Sequence, residues 1–392
     1  MGLESILTDS TVLKFLEVKI EDFVVLQDEI VSLEVKYNFF DPRVKGTIKI
    51  KDSFDMGGSG LVKITNNNKI TISSMDRGGT KSFRTFRVTN SNAVTVNDRT
   101  KMYDIQFQDD ITWSLDNMYI EGSINGSAAR KLYTMFETPY MLSLIRADKI
   151  TVEITDTAEK RSFTIPKNQT FLETMIYLLR KDNIRFYQDR NTIYIKEVKP
   201  SQYKPIINDA TNKDLVFTDD VQENSYLFKI HDSLDLKNDT GKVNKLSPII
   251  KVNSTTSPKG QSTLTISLPD FFEDLKLNDM ELGSIQLTSG EKLETSEELA
   301  IGWQKAKLFD TFMLNQQMYI AVKGTYKYSN VGTVITIKKK GSVTSAKSNL
   351  EGDRLTSGKY FVFGVSDRYL GDKLIQRLHI GRLDAQKVKE VT

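Results

Sequence analysis

Residues 83–90 read FRTFRVTN and residues 360–367 read YFVFGVSD, and the apolar anchors of the two stretches have the same spacing. These anchors are Phe83, Phe86 and Val88 in the first stretch and Tyr360, Phe363 and Val365 in the second. A second pair of similar stretches, residues 46–51 and 332–338, precedes them in the same order. Ordinary half-buried strands also alternate aromatic and β-branched residues, so chance similarity is the alternative. The shared order favours one β-domain that is used twice.

The composition permits large cores and restricts the chemistry. The chain has 392 residues, of which 39% are hydrophobic, enough for two to four domains of about 100–200 residues each. It contains no cysteine, so disulfides, thiolate zinc sites and thiol nucleophiles are excluded. The 54 basic and 51 acidic residues give a formal net charge of +3, far from the basic stripe of a nucleic-acid binder. No signal peptide or membrane span is predicted, which indicates a soluble, unprocessed protein.

The N-terminal third predicts antiparallel strands. Residues 31–39 and 44–51 alternate apolar with polar side chains on either side of a turn at Asp41 and Pro42. Lys45, Thr47, Lys49 and Lys51 form the polar face of the second strand. Further strands are predicted at 69–73, 82–90 and 101–108. Closely spaced strands with turn signals between them are typical of a barrel or sandwich.

The middle of the chain predicts helices mixed with strands. Apolar residues at helical spacing predict a helix over 127–137 that stops at Pro139. Thr170 and Glu173 form a capping box that predicts a helix at 171–181, followed by a hairpin of strands at 184–187 and 191–197.

The C-terminal half predicts a strand at 226–230, which an excursion rich in Lys, Asn and Ser separates from later elements. A second capping box, from Thr295 to Glu298, predicts a helix. Four closing strands are predicted at 318–326, 331–338, 359–366 and 373–380.

Recognisable catalytic or metal-binding motifs are absent. The two histidines, His231 and His379, lie in strand-like sequence and are interpreted as structural. The adjacent acidic pairs could serve glycoside hydrolysis, although such pairs are common at turns and helix starts. These pairs are Asp109 with Asp110, Asp219 with Asp220, and Glu297 with Glu298. The glycine-rich segments at 57–60 and 77–81 lack the Gly-Lys-Ser/Thr ending of a phosphate loop and are interpreted as loop tips.

With the repeated β-domain, the helix-containing middle and the divided second domain in place, the chain resembles the central baseplate hub proteins of contractile-tailed phages. It is similar in length and layout to the hub of the T-even phages and related to the hub portion of type VI secretion spikes. The resemblance covers nearly the whole chain and rests on the order of elements and on the strand that begins at Gly332, without a diagnostic motif. The expected fold is α+β and mostly β, with two similar antiparallel β-barrel domains of the tail-tube type and mixed α/β inserts.

The resemblance also implies a domain layout. The first barrel is expected at 1–112, the mixed α/β domain at 113–206 and the first part of the second barrel at 207–235. An insert is expected at 236–299, and the helix and the rest of the second barrel at 300–392.

The role implied by the resemblance is structural, with no enzymatic activity and no cofactor. The expected assembly is a homotrimer whose six barrels form a ring of pseudo-sixfold symmetry. The expected partners are the tail-tube or tube-initiator protein, the central spike protein and the baseplate wedge proteins, with no nucleic acid and no membrane span. The protein is expected in the virion baseplate after assembly in the host cytoplasm, with a part in host cell penetration.

Two other functions stay open at this stage. A tube-initiator or distal-tail ring protein would form a hexamer, and a carboxylate-dependent glycosidase would need the acidic pairs. The predicted interface lies in the glycine-rich loop at 52–61, because such a tip with apolar residues nearby can become ordered on a partner. Its residues are Phe54, Met56, Gly57, Gly58, Gly60 and Leu61.

Overall fold

A computed structural model describes residues 11–52, 64–97, 100–155, 161–165, 168–182, 184–197, 216–218, 226–230, 249–254, 262–267, 317–323, 326, 330–338 and 358–382. The helices are α1 (Asp110–Asp116), α2 (Ala128–Phe136), α3 (Pro139–Ala147) and α4 (Phe171–Lys181). A single turn of 3₁₀-helix spans Gln27–Glu29.

The N-terminal strands are β1 (Thr11–Val12), β2 (Phe15–Ile20), β3 (Phe23–Val25), β4 (Ile30–Asn38), β5 (Lys45–Asp52), β6 (Lys69–Met75), β7 (Lys81–Asn97) and β8 (Thr100–Asp109). The middle strands are β9 (Ser123–Gly126), β10 (Thr151–Ile154), β11 (Arg161–Thr164), β12 (Ile184–Asp189) and β13 (Thr192–Glu197). The C-terminal strands are β14 (Val216–Thr218), β15 (Tyr226–Ile230), β16 (Ile249–Ser254), β17 (Ser262–Ser267), β18 (Gln317–Lys323), β19 (Val334–Lys338), β20 (Gly358–Leu370) and β21 (Lys373–Arg382).

One sheet of 14 strands contains the same strand order twice. The first unit runs β4-β5-β8-β7-β6-β2, and the second runs β15-β18-β21-β20-β19-β14. If the six strands of each unit are numbered from 1 to 6 along the chain, their order across the sheet is 2-3-6-5-4-1 in both units. In the second unit β14 also pairs with β15, so that its strands form a closed circuit. The expectation of antiparallel strands throughout is wrong for the first strand of the second unit, because β14 is parallel to β15 and β19 whereas its counterpart β2 is antiparallel to β6. The fold is therefore mostly β and is built on a repeated strand order.

The repeat holds at the level of single residues. In the first unit Ile70 pairs with Phe86 and Ile72 with Arg84. In the second unit Ile335 pairs with Tyr360 and Ile337 with Gly358 in the same geometry. Ile70-Thr71-Ile72 of β6 thus corresponds to Ile335-Thr336-Ile337 of β19. Both β7 and β20 then carry a bulge after the same position, Val88 in one and Val362 in the other.

The turn before β6 and the turn before β19 are also equivalent. Asn67 N–H donates to the Val88 carbonyl at 2.8 Å, and Gly332 N–H donates to the Val362 carbonyl at 2.8 Å. Asn67 has φ 74° and Gly332 has φ 85°, the left-handed region that Asn and Gly tolerate best. A Cβ atom at 332 would also lie too close to the Tyr187 hydroxyl, so both the backbone conformation and the available space favour glycine there.

These pairings correct both of the similarities found in the sequence. Residues 83–90 and 360–367 do lie on equivalent strands, but the structural match pairs Phe86 with Tyr360, which shifts the predicted alignment by three residues. The second predicted equivalence is wrong. Residues 46–51 lie on β5, whereas residues 332–338 lead into β19, which is the counterpart of β6.

The two units are joined by backbone pairing between β4 and β20. Residues 33–38 of β4 lie antiparallel to residues 364–369 of β20, from Leu33 opposite Tyr369 to Asn38 opposite Gly364. Short strand β1 adds to the outer side of β21. A single apolar core cluster runs through both units, from Leu13 to Ile380, so burial of apolar surface stabilises them together.

The middle region forms its own layer with a separate core cluster between Ile111 and Ile195. Its small sheet has the order β10-β13-β12 and packs with the four helices. The two helices predicted in this region are confirmed, and the one predicted at the capping box of Thr295 to Glu298 lies outside the described residues. Thr170 accepts from the Glu173 N–H at 3.2 Å and the Glu173 carboxylate accepts from the Thr170 N–H, which closes the capping box. Pro139 ends one helix as predicted and also occupies the first turn of α3, where its missing N–H costs nothing.

Candidate functional site: the joint between the repeated units

The predicted interface loop lies outside the described residues. Phe54, Met56, Gly57, Gly58, Gly60 and Leu61 all fall within residues 53–63. The loop follows Asp52, whose side chain is fully buried at the end of β5. The loop stays a prediction.

The polar face predicted on β5 is confirmed. Lys45, Lys49 and Lys51 are exposed and Thr47 is half-buried, whereas Ile48 and Ile50 of the same strand are fully buried. Lys49 forms an exposed ion pair with Asp104 on β8 at 3.5 Å. This arrangement leaves one face of the strand in water and the other in the core.

A cluster on the outer face of the β4–β20 seam is centred on Glu34. The Ser366 hydroxyl donates to its carboxylate at 2.6 Å, and Lys36 lies 3.2 Å away. Partial burial opposes ionisation of Glu34, but the Ser366 hydrogen bond and the charges of Lys36 and Arg368 outweigh it and lower its pKa. The seam therefore has a side-chain contact beside its backbone pairing.

The tip of the β12–β13 hairpin enters the joint between the two units. On one side Gln188 accepts from Arg84 at 2.5 Å and donates to the Pro42 carbonyl at 2.8 Å. On the other side Arg190 donates to Asn330 at 2.5 Å and lies 3.5 Å from the Asp367 carboxylate. Two residues at the tip of one hairpin, Gln188 and Arg190, thus contact different units.

The first-unit side of this joint is a buried network around Asp109. Its carboxylate accepts from the Val44 N–H at 3.0 Å, caps α1 through Thr112 and lies 3.6 Å from the Arg84 guanidinium. Asp148, at the end of α3, accepts two hydrogen bonds from Thr85 on β7. Buried charges need such partners, because their desolvation is otherwise unfavourable.

The second-unit side contains buried phenols and carboxylates. The Tyr326 hydroxyl lies 2.6 Å from the Ser74 hydroxyl of β6 and 2.9 Å from the Tyr369 hydroxyl of β20, so it links the two units directly. Burial raises the pKa of Asp189 to about 6, although Arg190 opposes the shift. Burial also raises the pKa of Asp367.

The candidate catalytic residues that the structure describes have structural contacts. Asp109 is an N-cap, and Asp110 pairs with Arg87 at 2.8 Å. His379 lies in β21, stacked on Tyr319 with the ring centroids 3.9 Å apart. Burial, with the nearby Arg377 charge, lowers the pKa of His379 to about 4. His231 and the acidic pairs at 219–220 and 297–298 lie outside the described residues.

The glycine-rich segment at 77–81 is the tight turn between β6 and β7. Asp76 accepts from the Thr80 N–H at 2.8 Å, and Gly79 adopts φ 85°. Its interpretation as a loop tip is confirmed.

Among the residues that the structure describes, no group of three His, Asp or Glu side chains could hold a metal ion. None of the described helices is long and apolar enough to cross a membrane.

The sequence patterns do not point to the joint. Arg84 is the second residue of the stretch 83–90, and neither its spacing nor that of Gln188 and Arg190 matches a motif.

Comparison with solved structures identifies the class of fold. The chain is similar to the tail protein from Neisseria meningitidis MC58, with 8% identity, a TM-score of 0.56 and coverage of 94% of this chain and 96% of that one. It is similar to the 43 kDa tail protein of prophage MuSo2 from Shewanella oneidensis, with 11% identity, a TM-score of 0.55 and coverage of 94% and 98%. A chain of the Francisella PdpA-VgrG complex, half-lidded, matches with 12% identity and a TM-score of 0.51 over 100% of this chain and 63% of that one.

The fold is therefore that of phage tail proteins. The solved structures with this fold include two tail proteins, one of them from a prophage, and a chain of a VgrG-containing complex. No protein-family model matches the chain, and no curated protein matches it by sequence.

Proposed function

We propose that this chain is the structural hub of a contractile-tail baseplate. In this proposal three copies form a ring, each copy supplies two tube-like β-barrels, and the ring joins a hexameric tail tube to a trimeric central spike. The observation that carries the proposal is the strand order that occurs twice, with residue-level register, in one chain. Two equivalent units per chain allow three chains to present six similar surfaces on one side and threefold symmetry on the other.

The domain layout given by the sequence belongs to this proposal. The first barrel corresponds to 1–112, the mixed α/β domain to 113–206, and the second barrel to 207–235 with 300–392, interrupted by an insert at 236–299. The partners are the tube or tube-initiator protein, the spike and the wedge proteins. The protein has no enzymatic role in this proposal, and it resides in the virion baseplate after assembly in the host cytoplasm.

Light scattering of the purified protein at several concentrations, alone and with its candidate spike, tests the proposal. A particle near three times 44.6 kDa that the spike stabilises is the expected result. A hexamer would instead favour a tube-initiator or distal-tail ring. A monomer that ignores the spike would refute the adaptor.

A further inference from the structure

The second-unit side of the joint places two buried carboxylates beside one arginine. Arg190 lies 3.4 Å from the Asp189 carboxylate and 3.5 Å from the Asp367 carboxylate. Asp189 is 6% exposed and Asp367 is 0% exposed, so water solvates neither carboxylate well. Charge-assisted hydrogen bonds between a guanidinium and a carboxylate are usually shorter, about 2.7–2.9 Å. The guanidinium is therefore shared between two carboxylates instead of pairing closely with one.

One oxygen of Asp367 lacks a donor. Its Oδ1 atom accepts from the Gln376 side chain at 2.7 Å, whereas its Oδ2 atom is buried without a hydrogen-bond partner among the described residues. A buried carboxylate oxygen in this state is unfavourable, because it has lost its water and has no protein donor in exchange. A proton on that oxygen removes the charge and turns the oxygen into a donor. The geometry therefore suits a carboxyl group that holds a proton.

The two carboxylates also oppose each other's ionisation. Burial raises the pKa of Asp189 to about 6, although Arg190 opposes the shift, and the charge of Asp367 adds to it. Burial likewise raises the pKa of Asp367, and Arg190 again opposes the shift. Two carboxylates at one buried site do not readily ionise together.

Other charged and titratable groups surround the pair. They are Arg84 of β7, Tyr37 of β4, Tyr194 of β13, Tyr326, and Tyr369 of β20. Arg84 lies 3.6 Å from Asp109, which already takes part of its charge. Arg185, on the same face of β12 as Asp189, is buried as well. Burial raises the pKa of each of the four tyrosines, so they stay neutral where carboxyl groups titrate.

We propose that Asp189 and Asp367 share one proton beside Arg190, and that loss of this proton releases the hairpin tip from the second unit. Asp189 is the part that moves, because it ends β12 at the turn. Asp367 is held within β20, which is paired with β4 on one side and β21 on the other. The proton passes to bulk water, so no other reactant is needed. This device lies within a single chain, and it goes beyond the proposed ring without depending on it.

Acid conditions are therefore expected to tighten the joint. The folded chain holds a proton up to about pH 6 that the unfolded chain loses near the ordinary aspartate pKa of 3.8. The stabilisation is fully present below about pH 4 and is lost as the pH rises through about 6. Through this pair, the equilibrium constant for unfolding is expected to rise about tenfold from pH 5 to pH 7.5.

Urea unfolding of the natural protein and of Asp367→Asn at these two pH values tests the shared proton. The asparagine keeps the shape and the acceptor for Gln376 but cannot ionise. The ratio of the unfolding constants, natural protein over variant, is expected to rise about tenfold from pH 5 to pH 7.5. Asp189→Asn is expected to give the same tenfold change. The double variant is expected to give tenfold again, not a hundredfold, because one proton serves both residues.

Asp104→Asn is the matched control. Asp104 is half-exposed and pairs with Lys49 at 3.5 Å on the exposed face of β5 and β8. The same chemical change at this position is expected to leave the ratio within about twofold, because surface ion pairs contribute little.

Hydrogen exchange of the hairpin tests the release. After correction for the pH dependence of intrinsic exchange, peptides covering 187–192 of the natural protein are expected to exchange at least fivefold faster at pH 7.5 than at pH 5. The same peptides of Asp367→Asn are expected to exchange at one rate at both pH values, since the second charge is absent.

Two results would overturn the inference. An equal pH dependence of unfolding in the natural protein and in Asp367→Asn refutes the shared proton. A tenfold change in the ratio with unchanged exchange of the hairpin refutes the release. Neither result bears on the proposed ring, which light scattering tests separately.

Discussion

We expect His379 to make the stability of this protein depend on pH. Its imidazole is packed between Tyr319 and Phe363 and lies 2.7 Å from the Gln317 side-chain oxygen. Burial, with the Arg377 charge, lowers its pKa from 6.5 to about 4 in the folded state. In the unfolded chain His379 binds a proton below about pH 6.5, whereas in the folded chain it binds one only below about pH 4. The contribution of the buried, neutral imidazole to stability is therefore expected to be fully present above pH 6.5 and to be lost as the pH falls through 4.

The size of the effect follows from the two pKa values. A difference of about 2.5 pKa units at about 1.36 kcal/mol each gives an upper limit of about 3 kcal/mol. His379→Gln removes the titration and keeps a polar side chain beside Gln317. Urea unfolding of both proteins at pH 4, 5, 6 and 7 is the assay. The free energy of unfolding of the natural protein, minus that of the variant, is expected to fall by up to about 3 kcal/mol from pH 7 to pH 4.

The difference between the two proteins isolates the histidine from the buried carboxylates. Asp189 has a pKa raised to about 6, so its contribution is lost as the pH rises, the opposite direction, but it is the same in both proteins. A difference that stays constant within about 0.5 kcal/mol across the pH range would refute the burial argument for His379.

Two further substitutions test the joint and the packing of the first unit. Arg84→Met leaves the buried Asp109 carboxylate without its cation, and we expect a loss of about 3–5 kcal/mol in urea unfolding. Arg84→Met with Asp109→Asn should recover part of that loss, and no recovery would contradict the pairing. Gly46→Ala places a methyl group against the Phe107 ring and the Glu34 carbonyl, and we expect a loss of about 2 kcal/mol. An unchanged midpoint would show that β5 can move away from its neighbours.

Local patterns predicted the elements well, because their causes are local. The capping box at Thr170 and Glu173 and the apolar spacing after it are sufficient for α4. The strand β15 has the predicted bounds for the same reason, a run of apolar residues that ends with Ile230. Such features need only neighbouring residues.

The repeat is real, but the sequence aligns its two copies partly in the wrong register. The bulges in β7 and β20 are the reason. Both β7 and β20 have a bulge after equivalent residues, Val88 and Val362, which resets the alternation of faces part-way along the strand. Spacing alone then matched a stretch that begins at Phe83 with one that begins at Tyr360, although Phe86 is the equivalent residue. Gly46 and Gly332 were matched as well, but Gly46 makes room for Phe107 whereas Gly332 takes a left-handed turn.

The joint could not be predicted from sequence because its members are far apart in the chain. Arg84 and Gln188 are separated by 104 residues, and Arg190 and Asp367 by 177. A charged residue in an alternating strand is normally assigned to the solvent face, and only the arrival of a second element buries it.

The hairpin tip at Gln188 and Arg190 has a consequence for symmetry. It contacts the first unit through Arg84 and the second through Asn330, so it ties the two units of one chain together. In the proposed ring, this hairpin would tie the six units together two by two, because it belongs to one chain and contacts both units of that chain. The ring would then have three such pairs, so its stiffness would follow threefold rather than sixfold symmetry.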